Sequence, residues 1–168
     1  MSLPGRRRSL SRALACLIAA VSTGPAIADP LDDHLLRQLS CIDPPSPLAG
    51  LIALENQGRF DASQGERRDS ATCWSLKPAL ELGDVAFDHI CAATEDPLLI
   101  AQFPAFFWRG RGTSPGETLV LTTKEPVARM KEWAAAHLSN DGIPVSIGAD
   151  AWVDGETEVE CRKTLSWP

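Results

Sequence analysis

The chemistry-bearing residues of this chain are few and scattered. Three histidines, His34, His89 and His137, are the candidate bases, and none is near another in sequence. His89 follows Asp88 inside the apolar run Val85-Ala86-Phe87-Asp88-His89-Ile90-Cys91, so a carboxylate/imidazole pair able to exchange protons with a substrate is conceivable there. Gly112-Thr113-Ser114-Pro115-Gly116 matches the letters of a nucleophile elbow. Its physics does not fit, because Pro115 lacks the backbone N–H that would face an oxyanion and no helix pattern follows. That segment reads as a turn.

Four cysteines, Cys41, Cys73, Cys91 and Cys161, remain once Cys16 of the N-terminal apolar run is set aside. Their spacing is not that of a zinc site, and an even count in an exported chain implies two disulfides. Cys73 with Cys91 across a hairpin and Cys41 with Cys161 is the expected pairing. Neither a metal nor another cofactor is expected.

The stretch Phe103-Pro104-Ala105-Phe106-Phe107-Trp108-Arg109-Gly110-Arg111 is the strongest binding candidate. In a strand only alternate residues face one side, so Phe106, Phe107 and Trp108 cannot all enter one core. Phe106, Trp108, Arg109 and Arg111 are therefore the expected contact residues, since aromatic and arginine side chains carry much interface energy.

The elements that must position these groups begin after a leader. Arg6, Arg7, Arg8 and Arg12 precede an apolar run from Ala13 to Val21, and Ala26-Ile27-Ala28 supplies small residues before Asp29. Residues 1–28 read as a cleaved secretory signal peptide, and residues 29–168 as one domain in the periplasm or outside the cell. The arginine pair leaves open the general or the twin-arginine route. The run is too short for stable membrane insertion. Of 16 cationic side chains four lie in the leader, which leaves 12 against 22 acids, about minus 10. Such a charge disfavours nucleic acid and attracts a basic protein partner.

Asp29-Pro30 and Ser46-Pro47 each open a helix, the second closing at Gly58. Residues 61–70 read as a solvated loop. Strands are expected around Cys73–Leu76 and Val85–Cys91, a second hairpin over 106–123 with its tip at 112–116, and a helix after Pro126 carrying Met130, Trp133 and Leu138 and ending at Asn140-Asp141-Gly142. A last hairpin turns at Val153-Asp154-Gly155, aligning Ile147 with Cys161 and leaving Asp150, Trp152, Glu156, Glu158 and Glu160 on a solvent-facing acidic stripe.

The sum is a single small α+β domain: an antiparallel sheet of about six strands built from hairpins, packed on about three helices and stapled by disulfides. With no assembled catalytic set, the function expected is an exported protein-interaction, inhibitor-like or envelope accessory module. The alternative is a small envelope hydrolase using Asp88 and His89.

Overall fold

The computed structural model describes residues 29–43, 46–111, 116–139, 145–149 and 152–161. The expected leader, the expected turn residues 112–115 with Ser114, the expected helix stop at 140–142 and Asp150 lie outside them.

Two N-terminal helices form where Asp-Pro and Ser-Pro pairs place a proline at the first helical turn. In α1, Pro30–Leu39, the Asp29 carboxylate accepts the Leu31 N–H at 2.9 Å, and Asp32 and Asp33 complement the positive end of the helix. Leu31, Leu35 and Leu39 form its buried stripe. α2, Pro47–Asn56, buries Leu51 and Leu54 against it.

The sheet contains β1 (Glu66–Arg68), β2 (Ala71–Leu82), β3 (Val85–Ala93), β4 (Thr118–Thr123), β5 (Val145–Gly148) and β6 (Thr157–Cys161). All pairs are antiparallel and the order is β1-β2-β3-β4-β6-β5. One face meets the helices: Trp74, Leu80, Leu82, Ile90, Leu121 and Val159 pack with α1, α2 and with Met130 and Trp133 of α4, Val127–His137. A register shift between Ser75 and Leu80 lets both Phe87 and Ile90 join this core. Trp133 is fully buried and donates its indole N–H to the Leu82 carbonyl at 2.9 Å, locking α4 to the end of β2.

Both expected disulfides are present. Cys73 and Cys91 stand directly opposite on β2 and β3, and Cys41 at the end of α1 joins Cys161 on β6.

Several expectations change. Residues 61–70 are not one loop: they hold a 3-10 turn, Ala62–Gln64, capped by Asp61, and β1, whose Glu66 to Arg68 pair with Cys73 to Ala71. The first arm of the 106–123 hairpin is not a strand. Phe103 instead ends a fourth helix, α3 (Pro97–Gln102), and its carbonyl accepts the N–H groups of Phe106 and Phe107, so the chain coils there and β4 pairs with β3 and β6. The sixth strand is therefore β1.

In the last hairpin Gly155 has φ +80, the left-handed conformation expected of it. Ile147, however, opposes Val159, and Val145 opposes Cys161. The pairing is displaced by two residues, which keeps every side chain on its expected face because the strand period is two.

The acidic stripe is the largest correction. Glu156, Glu158 and Glu160 are buried, at 6%, 2% and 7% exposure. β6 is an interior strand between β4 and β5, and Trp152 and Val153 pack over the second face beside Cys73, Cys91 and Val120.

Candidate functional site

The second face of the sheet carries a row of polar residues. The Cα partners Ser75 on β2, His89 on β3, Thr122 on β4 and Glu158 on β6 run across four strands. His89 Nδ1 lies 2.9 Å from Glu156 Oε2, and the Thr122 hydroxyl donates to that same oxygen at 2.6 Å. Glu156 is buried, whereas the His89 side chain retains 23% exposure. A buried carboxylate thus orients a solvent-reaching imidazole. Asp88, the expected partner, faces elsewhere and forms an ion pair with Lys124 at 3.3 Å. Sequence reasoning missed Glu156 because it is 67 residues from His89.

The other two histidines lie on helices, away from this row. His137 Nε2 is 3.4 Å from Asp84 Oδ1 and its ring lies on Trp133, 5.5 Å between centroids. His34 sits half-buried on α1. No group of three His, Cys, Asp or Glu among the described residues could hold a metal ion.

The expected contact stretch divides. Phe106, 5% exposed, belongs to the core, edge-on to Phe60 and Trp74 and beside Phe107. It is therefore removed from the contact surface: the coil at 103–107 relaxes the strand alternation that argued against burying neighbouring aromatics. Trp108 is half-buried, with its indole N–H on the Ala71 carbonyl at 3.1 Å and the Arg67 guanidinium 5.4 Å over its ring. Gly110 lies so close to Asp69 that a Cβ would come within 2.1 Å of the Asp69 carbonyl oxygen. This close approach docks the 103–111 segment on the β1–β2 turn. Arg109 and Arg111 are exposed there.

The same edge continues to a cleft of about 480 Å³ lined by Arg59, Phe60, Asp61, Gln64, Ser75 and Lys77, among others. Arg59 spans onto β2, donating to the Pro78 and Ala79 carbonyls at 3.2 and 2.9 Å, and Phe60 stacks on Trp74 at 5.1 Å. Asp61 is held below its ordinary 3.8 by hydrogen bonds from the Ser63 hydroxyl and N–H, so the cleft contains one fixed anion and two cations.

Arg37 is paired with Asp43, Arg68 on β1 with Glu66, Lys124 with Asp88 and Arg129 with Asp84. Among the described residues Arg59, Arg67, Lys77, Arg109 and Arg111 make no ion pair, and all five belong to the β1–β2 edge or to segments docked on it; Lys131 on α4 is the other such cation.

No protein family, curated protein or solved structure matches this chain.

Proposed function

We propose that the chain is an exported, disulfide-stapled binding module that engages an acidic protein partner through Trp108, Arg109 and Arg111 together with Arg67. The observation that carries this reading is the concentration on one edge of five of the six cations without an ion pair among the described residues, with the Arg67 guanidinium stacked on Trp108. In an exported chain whose acids outnumber its bases 22 to 12, a local cluster of cations without ion pairs steers an acidic surface to one orientation. Burial of Glu156, Glu158 and Glu160 leaves that acidic stripe without an exposed surface to offer a partner. Two disulfides and the leader favour an oxidising compartment, and no described helix is long and apolar enough to cross a membrane.

The test is affinity capture from the native envelope at graded salt, with the wild type and with R109E/R111E as baits. A partner lost from the charge-reversed bait, and released from the wild type as salt rises, supports the reading provided both baits melt alike. Equal recovery on both baits sinks it. Intact mass of the exported protein should correspond to a chain starting at Asp29.

A further inference from the structure

We propose that the acidic partner also covers helix α3: its contact is an amphipathic protein segment whose apolar side chains seat on Leu98 and Ala101 while its carboxylates meet Arg67, Arg109 and Arg111. The α3 contact rests on the binding reading above and adds an apolar half to that cationic surface.

From Pro97 to Trp108 the chain runs twelve residues without a charge, and all but Gln102 are apolar. A run of this kind belongs inside a fold. Here only Phe106 and Phe107 are buried, and no residue of α3 is. The helix is split along its length. Leu99 and Ile100, with Phe103 after them, pack half-buried against the core, whereas Leu98 is 67% exposed, the most exposed large apolar side chain among the described residues. Pro97, Ala101, Pro104 and Ala105 are exposed with it. One exposed leucine needs no explanation, but five exposed apolar residues within nine positions form a patch.

The patch runs directly into the cationic edge. Arg67 donates to the Pro104 carbonyl at 3.2 Å and lies 5.4 Å over the Trp108 ring, and the exposed Arg109 follows in the chain. At the other end Glu95 and Asp96 are exposed, and the Asp96 carboxylate caps α3 by accepting the Leu98 N–H at 2.8 Å. The surface is therefore polarised: acids, then apolar helix, then guanidinium groups. This order decides the class of occupant. An anionic bilayer broad enough to take Leu98 would also press on Glu95 and Asp96, and like charges oppose that contact. A protein segment can stop short of those acids, place its carboxylates on the arginines alone and cover Leu98 with an apolar side chain.

The test uses the full disulfide-bonded chain and a fluorescently labelled synthetic peptide with leucines on one helical face and glutamates on the other. Anisotropy should report binding that weakens about 10-fold or more when the peptide's leucines become serines or its glutamates become lysines. In the protein, Leu98→Ser should cost about 10-fold without lowering the melting temperature, and Arg109→Glu with Arg111→Glu at least as much. Should Leu98→Ser melt low, Ala101→Glu on the same exposed face carries the measurement. Binding that survives the serine peptide or the folded α3 variants, yet is lost on charge reversal, overturns the α3 contact and leaves the cationic reading standing. Binding indifferent to charge reversal overturns both. A leucine–glutamate peptide that does not bind also overturns the proposal, as does co-sedimentation with phosphatidylcholine–phosphatidylglycerol vesicles that is lost in Leu98→Ser.

Discussion

His89 and Glu156 meet at 2.9 Å across 67 residues of chain, tying the middle of β3 to the residue just before β6. The contact closes the second face of the sheet at the place where Trp152 and Val153 fold over it. Glu156 also receives the Thr122 hydroxyl, so one buried carboxylate links β3 and β4 to the turn that leads into β6.

Removal of that carboxylate should therefore be expensive for stability. Glu156→Ala leaves the Thr122 hydroxyl and the His89 ring nitrogen without their acceptor in a buried place, a loss of about 1–3 kcal/mol. Glu156→Gln retains an acceptor oxygen and should lose less. Urea unfolding of the two variants checks the order, and equal losses would mean the hydrogen bonds are not what Glu156 contributes.

The two disulfides should differ in weight. Cys41 and Cys161 are separated by 120 residues, Cys73 and Cys91 by 18. Loop-closure entropy assigns about 5 kcal/mol to the first and about 3 kcal/mol to the second. The double variant Cys41→Ala with Cys161→Ala should accordingly melt lower than Cys73→Ala with Cys91→Ala. Non-reducing peptide maps should recover these two linkages, and a Cys41–Cys73 or Cys41–Cys91 peptide would reject the pairing.

Gly83 illustrates a turn set by a distant helix. It has φ +62, and an added Cβ would stand 2.6 Å from Cε1 of His137 on α4. Gly83→Ala should cost about 1–3 kcal/mol, from the left-handed backbone and the displaced imidazole together. In a His137→Ala background the steric part should vanish and the backbone part remain. Identical losses in both backgrounds would show that the ring yields freely.

Acid should weaken the fold through Asp84 and Asp43. The Arg129 guanidinium hydrogen bond holds Asp84 below its ordinary 3.8, with His137 adding to the pull, and Arg37 does the same for Asp43. A carboxylate depressed in the folded state stabilises fully above its ordinary value, and the contribution is lost as pH falls through the depressed folded value. Asp32 has the opposite sign: burial, then Asp29, raise it, so its penalty is relieved on acidification. Asp84→Asn should be less stable than wild type at neutral pH and converge on it as pH falls through the depressed folded value. Urea midpoints across that range test this, and a constant gap would place the effect of Asp84 outside its ionisation.

The sequence by itself determined what short-range physics controls. Asp29-Pro30 and Ser46-Pro47 began helices because a proline fixes φ where no N–H is needed, and at the first of them the flanking Asp29 also supplies the cap. Asp96-Pro97 carries the same signal and marks α3, which is only six residues long. The β2–β3 hairpin, with Cys73 opposite Cys91, followed from alternation and a tight turn. Only the tertiary structure decided which faces are covered. Glu156, Glu158 and Glu160 alternate as a solvent face would, yet they are buried because β6 is inserted between β4 and β5 and the 152–153 segment folds over it. Phe106 entered the core because helix α3 coils the chain that alternation would have extended. Ser75, His89, Thr122 and Glu158 were brought to one row by strand order, with Glu156 beside it, a choice made among segments that are distant in the chain. Periodicity reports which side chains share a face; what covers that face is settled by non-local packing, where burial outweighs the preferences of any single segment.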